Sequence, residues 1–336
     1  VSGPSVGLAV AAARPSPGGP GPGRRRTSAR RRSENRTGLA LITPTVLIVV
    51  AVVVLPVLWT VSLAFQPVRL INIRTTGLFG SYTLDNFVDV LTSPGFGQAL
   101  VTTLAYSVLG TAGAIGVGLL AALALRRPFR GRGLVRASLL LPYVAPVVAA
   151  TFVWSTMLHP QFGLVNHWGR RALGWDEPIA FLSSRSDELS LLGWDLTIPT
   201  ALATVIVFEA WRSFPFTFLF LTARLEAVPG SLEEAARVDG ATPTQRFRHI
   251  LLPQLLPTIA VLTVLRFIWT FNNFDDIYLL TGGGAGTQVV SVRVFDYLTA
   301  RGDIGAAAAQ ALVLAAILAV LVIVYLRFFG RREDAA

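Results

Sequence analysis

Six separate stretches of this chain are long enough and apolar enough to cross a lipid bilayer as helices. A helix rises about 1.5 Å per residue, so the hydrocarbon core of a membrane takes about 20 residues. The stretches 39–65, 97–125, 134–158, 199–225, 253–274 and 305–328 all reach that length. Lipid satisfies no backbone polar group, so only helices or closed barrels survive within it. The reading is an all-α polytopic membrane protein with six transmembrane helices. Only 14% of the residues are charged, against about 25% in ordinary soluble domains, and the deficit lies in these runs. Gly110, Gly116, Pro142, Pro146, Pro215 and Pro257 fall inside them. Small residues let membrane helices approach and neighbours repair proline gaps, so none of the six is taken to interrupt a span.

Three segments follow: a tail (1–38), the membrane domain (39–328) and a short end (329–336). The tail is rich in Pro, Gly, Ser, Ala and Arg and is expected to be disordered. The run after it is too long for a signal peptide and lacks a small-residue cleavage site, so it reads as an uncleaved first span. All 29 basic residues are arginine. With the N-terminus in the cytoplasm, twenty arginines fall in cytoplasmic segments and seven in external ones. Without the tail the count is twelve to seven. Both termini are therefore expected in the cytoplasm of a plasma-membrane protein. The same distribution accounts for the net charge of +10 without nucleic acid. The external loops are acidic, with Asp275 and Asp276 among their carboxylates, and these read as solvated loop residues or as part of a docking surface for a partner, the first for most of them.

Composition removes several chemistries. Without lysine there is no Walker A loop to hold nucleotide phosphates and no Schiff base. Without cysteine there is no disulfide, thiol nucleophile or zinc–thiolate site. His159, His167 and His249 are too scattered for a metal site. No His/Asp/Ser set has the arrangement of a catalytic site, so a membrane enzyme is disfavoured. An ion-driven transporter would have no use for the loop described next.

That loop, 229–253, has helix signals of its own. Ser231 and Glu234 have capping-box spacing, predicting a helix from 232 to 239. Gly240 stands where a helix end needs a left-handed residue. Thr242 and Gln245 form a second box, with Pro243 at the favoured first helical position. Two short helices around a glycine turn, between spans, suit docking. Ala235 and Ala236 would let a partner approach closely.

The spacing Glu234-Ala235-Ala236, three residues, Gly240, nine residues, Ile250-x-Leu252-Pro253 resembles the EAA loop of ABC importer permeases. Leu141-Pro-Tyr-Val-Ala-Pro146, Trp211-Arg-Ser-Phe-Pro-Phe216, Arg237-Val-Asp-Gly240 and Phe271-Asn-Asn-Phe-Asp-Asp-Ile-Tyr-Leu-Leu-Thr-Gly-Gly-Gly284 are similar to the carbohydrate-uptake branch. The likeness is to the larger membrane subunit of maltose- and trehalose-type importers. It implies a coupling role toward an ATPase for Glu234, Ala235, Ala236, Asp239, Gly240, Ile250, Leu252 and Pro253. It implies a second, homologous permease, two ATP-binding subunits, an extracytoplasmic sugar-binding protein or lipoprotein, and surrounding membrane lipid. It implies no cofactor on this chain, the magnesium–ATP residing on the ATPases.

Charges within membrane helices are costly and point to function. Glu209, Arg212 and Arg266 are such charges. Glu209 lies about ten residues into its run and Arg266 about thirteen into its own from the other side, so they share a depth. They can be a structural ion pair or can meet substrate. The family resemblance implies substrate contacts at Tyr143 and Val147, at Glu209, Arg212 and Ser213, and at Trp269, Thr270 and Asn273. Aromatic faces stack on sugar rings, while charged groups and amides bind hydroxyls. Glu209-x-Trp211-Arg212 departs from the maltose pattern and is similar to trehalose-type permeases. A disaccharide such as trehalose is the implied substrate, with a glycerophosphate as the charged alternative.

Overall fold

The computed structural model describes residues 41–75, 80–191 and 194–333. The tail expected to be disordered lies outside these residues. The chain falls into two units, Val1–Trp59 and Thr60–Ala336.

Helix α1 (Leu41–Ala64) begins in the first unit and ends in the second. It contains a π turn, Val50–Val54, in which the Leu55 amide bonds the Val50 carbonyl. Pro56 follows at once. Proline lacks the N–H that would continue the ladder and crowds the carbonyl four residues back. One wider turn before it relieves both, as π turns do inside helices.

In the second unit, α2 (Asp85–Thr92) leads to α3 (Phe96–Ala124). Next come α4 (Arg132–Val144), α5 (Val147–Met157) and α6 (Leu164–Ala172). A hairpin, β1 (Asp187–Leu191) and β2 (Trp194–Ile198), pairs antiparallel with Asp187 opposite Ile198. It is the one strand pair of an otherwise helical unit among the described residues. Then α7 (Thr200–Glu226), α8 (Gly230–Val238) and α9 (Pro243–Phe271) follow. The chain ends with α10 (Asp275–Thr281), α11 (Val290–Thr299) and α12 (Ile304–Glu333). Helix α12 runs past the expected end of its span at 328.

Five of these helices, α1, α3, α7, α9 and α12, are each long and apolar enough to cross a membrane, and α4 with α5 makes a sixth if the pair is one span. That pair corrects the expectation of an unbroken helix over 134–158: it is bent by 98°. Ala145 and Pro146 are both extended, at ψ 135° and 133°. A residue before proline is pushed out of the helical region, and proline supplies no N–H. Pro215 and Pro257, in contrast, lie inside continuous helices.

Helix α3 lies along α7, on a row of small residues. A Cβ on Gly113 would sit 2.9 Å from the Ala210 methyl, and one on Gly118 2.5 Å from the Thr217 hydroxyl. The Thr217 hydroxyl donates to the Ala114 carbonyl at 2.7 Å. Membrane helices gain little from the hydrophobic effect against lipid, so close backbone packing and such hydrogen bonds hold them. The buried apolar residues form three clusters along this pair. One joins Phe96 and Ala99 to α11 and α12. One, around Phe218 and Leu255, holds the end near α8. The third surrounds Tyr106, Phe208 and Ile277. Arg293, one of the seven arginines assigned to external segments, is buried. It donates to the Pro94 carbonyl and the Ser93 hydroxyl at 3.2 and 2.7 Å, pinning α11 to the start of α3.

Candidate functional site

Two places gather the residues singled out above. The first is the turn around α8. This helix starts at Gly230 with Pro229 as N-cap and has no side-chain cap. The expected Ser231–Glu234 box is not formed, because Ser231 is already inside the first turn, where its hydroxyl cannot cap. The other end matches expectation. Gly240 has φ 78°, and the Ala241 amide donates to the Ala236 carbonyl at 2.8 Å, closing the helix as a left-handed residue allows. Nothing lies within 4 Å of a Cβ built on Gly240, so backbone conformation alone calls for glycine.

The second capping box is present. The Gln245 amide donates to the Thr242 hydroxyl at 3.3 Å, and the Thr242 amide donates to the Gln245 side chain at 2.8 Å. The helix it opens is not a separate short one. It passes through a π turn, Phe247–Leu251, directly into the membrane-spanning part of α9. Pro253 explains the turn as Pro56 does in α1. Ile250, Leu252 and Pro253 therefore sit in the root of a span, whereas Glu234, Ala235, Asp239 and Gly240 are exposed at the turn and Ala236 is half-buried.

Ion pairs brace this turn. Arg126, just past α3, pairs with Glu233 on α8. Arg132 and Arg136 on α4 meet Glu226 at the end of α7, at 3.5 and 3.1 Å. The Arg224 guanidinium donates to the Gln254 carbonyl at 3.1 Å. Each exposed pair stabilises by at most about 1 kcal/mol, but together they fix where α8 stands. They leave Val238 88% exposed, and Leu232 on the same helix is exposed too.

The second place lies where α3, α7, α9 and α10 meet. Glu209 on α7 pairs with Arg266 on α9, both buried. Ser213 joins the same Arg266 Nη2 and donates to Glu209 Oε1 at 3.0 Å. Thr270 donates to that oxygen at 2.9 Å. Asn273 bridges to a second carboxylate: its Nδ2 lies 3.3 Å from Glu209 Oε2 and 2.8 Å from Asp276 Oδ2. Asp276 is fully buried and receives Arg212 Nη1 at 2.6 Å. Two guanidinium groups thus meet two carboxylates. Gly110 on α3 leaves room for it, since a Cβ there would touch Glu209 at 3.0 Å.

Beside this polar group runs an aromatic strip. Tyr143 at the end of α4 meets Phe216 on α7 with ring centroids 5.9 Å apart. Phe216 meets Trp269 on α9 at 5.2 Å, edge to face. The Arg266 guanidinium lies 5.7 Å from the Trp269 ring centre. Tyr143 and Trp269 are 45% and 44% exposed, although both belong to helices of the bundle. Arg212 and Asn273 are half-exposed at its border.

Residues 114–333 match the family model of the binding-protein-dependent transport system inner membrane component. The chain belongs to that family. The permease is 34% identical to the inner membrane ABC transporter permease protein YcjO of Escherichia coli, over 82% of this chain and 88% of that one. It is 31% identical to the trehalose/maltose transport system permease protein MalF of Thermococcus litoralis, over 89% and 95%. Its fold superposes on a chain of a bacterial alginate ABC transporter with a TM-score of 0.74, at 23% identity, over 90% of this chain and 96% of that one. It is a multi-pass membrane transport subunit and not an enzyme.

The residues expected to meet substrate divide three ways in the permease. Glu209, Ser213 and Thr270 join one buried network. Arg212, Asn273, Tyr143 and Trp269 remain open at its edge. Val147 opens α5 on the far side of the bend. Two members were missed. Asp276 is not a solvated loop residue, and its signal was a charge count: two arginines inside helices against a single glutamate. Phe216, between two flagged rings, had no polar signal to mark it.

Proposed function

We propose that the permease is one of two homologous membrane subunits of an ABC importer that carries a sugar, a disaccharide of the trehalose or maltose kind, into the cytoplasm. One of two ATP-binding subunits docks on the α8 turn, the other on the second permease, and an extracytoplasmic binding protein delivers the cargo. Both termini lie in the cytoplasm. The observation carrying this reading is the open strip Tyr143–Phe216–Trp269 bordered by Arg212 and Asn273. Rings offer flat apolar faces to the C–H side of a sugar, and the amide and guanidinium offer donors to its hydroxyls. Such rings facing out of a helix bundle suit a path shared with a second subunit.

In this mechanism the chain performs no covalent chemistry. ATP binding closes the partner subunits, α8 moves with them, and α7 and α9, joined to its two ends, carry the motion to the strip. The exposed Val238 and Leu232 give the partner an apolar contact. The Glu209–Arg266 network acts as a strut that keeps α7 and α9 moving as one body. Substrate touches its open edge at Arg212 and Asn273. The test is ATPase activity of the complete reconstituted complex, with its binding protein, across disaccharides, monosaccharides and glycerophosphates. Stimulation by one disaccharide supports the reading. Stimulation by a glycerophosphate alone replaces the sugar with an anion held by Arg212.

A further inference from the structure

Six of the arginines around α8 fall into two groups. Arg126, Arg132 and Arg136 are paired with Glu233 and Glu226 of the same chain. Arg127, Arg237 and Arg246 have no carboxylate partner among the described residues, yet they line one open cavity of about 620 Å³. Its remaining walls are Pro128, Gly240 and Ala241, so the cavity opens beside the left-handed turn that ends α8. Three like charges lining one hollow repel one another, which an anionic occupant would relieve. Glu226 and Glu233 are taken up by the first group. Glu234 and Asp239 are exposed at the turn, but among the described residues neither forms an ion pair with the three arginines.

We infer that this cavity is a socket for one or more carboxylate side chains of the ATP-binding subunit, held by Arg127, Arg237 and Arg246. The inference rests on the proposed docking of that subunit at the α8 turn, and it adds the chemistry of the contact. Charge complementarity and continuity with the exposed Val238 choose the occupant: an apolar contact at the helix and an acidic one at its end. Guanidinium groups bind carboxylates in two-point fashion. Because Arg127 follows α3 while Arg237 and Arg246 flank the α8 turn, an acid in the socket would tie the partner to two segments at once.

The experiment uses the full permease pair in nanodiscs of zwitterionic phosphatidylcholine, titrated with the purified, labelled ATP-binding subunit at several salt concentrations. For the unaltered protein, affinity is expected to fall as salt rises. R237Q and R246Q together should weaken binding about tenfold at low salt and flatten the salt dependence, whereas R237K and R246K should recover part of the loss. A parallel V238D variant tests docking on α8 itself. If V238D abolishes binding while the glutamine pair binds as tightly and with the same salt slope as the unaltered protein, the socket is wrong and the docking reading stands. If neither variant alters binding, both fail. If binding needs phosphatidylglycerol in the disc and the glutamine pair removes only that need, the occupant is a lipid headgroup and the inference is overturned.

Discussion

Glu209 on α7 and Arg266 on α9 form an ion pair in which both side chains are almost wholly buried, 57 positions apart in sequence. Removing one partner of such a pair leaves an uncompensated charge, which costs about 3–5 kcal/mol. Glu209→Ala should therefore lower the thermal midpoint of the purified permease pair sharply, and Arg266→Met should do the same. The double variant Glu209→Leu with Arg266→Met removes both charges and should recover most of the midpoint. Thermal unfolding in detergent checks this. Equal loss in the double variant would mean that the hydrogen bonds to Ser213 and Thr270 matter more than the charges.

The rim of the same group should behave in the opposite way. Tyr143 and Trp269 are nearly half exposed, so Tyr143→Ala and Trp269→Ala should leave assembly unchanged. Each is expected to raise the sugar concentration for half-maximal ATPase stimulation about tenfold, near 1.4 kcal/mol. A titration of cargo-loaded binding protein against the reconstituted complex reads it directly. Unchanged half-maximal values for both would remove the strip from the substrate path.

Gly240 combines φ 78° with empty space around its missing side chain. Gly240→Ala should cost only about 1–2 kcal/mol of local strain and keep partial transport. Gly240→Pro cannot adopt that backbone and should abolish sugar-stimulated ATPase activity while the protein still reaches the membrane. Immunoblotting of membranes beside the ATPase assay separates uncoupling from loss of protein.

Gly118 behaves differently, because there the limit is space. A Cβ would meet the Thr217 hydroxyl at 2.5 Å and the Phe214 carbonyl at 3.0 Å. Gly118→Ala should force α3 away from α7 and destabilise by about 1–3 kcal/mol. Gly116, with nothing within 4 Å, is the control, and Gly116→Ala should leave the thermal midpoint unchanged.

Most of the bundle was legible in the sequence, because a membrane demands long apolar runs and nothing else in this chain produces them. The Thr242–Gln245 cap and the Gly240 turn were legible too, since each depends on neighbours a few residues away. The bend at Pro146 was not. Pro142, Pro146, Pro215 and Pro257 look alike on paper, and only packing decides that one breaks a helix while three are absorbed. Ser231 had a cap's spacing but lost the position to Pro229, two residues earlier. Asp276 and Phe216 acquire their roles from partners far along the chain: Arg212 is 64 positions away and Tyr143 sits on another helix. Local pattern carries no trace of such contacts.

The bend between α4 and α5 also has a consequence for water. Pro146 offers no hydrogen to the Pro142 carbonyl, and among the described residues no backbone hydrogen bond returns from α5 to Tyr143 or Val144. Carbonyls left open in hydrocarbon would be too costly to keep. This stretch therefore calls for water or a neighbouring chain beside it, within what is otherwise an oily layer. A hydroxyl-rich cargo passing Tyr143 would meet acceptors not committed to the helix ladder, and would exchange one set of hydrogen bonds for another without being stripped bare.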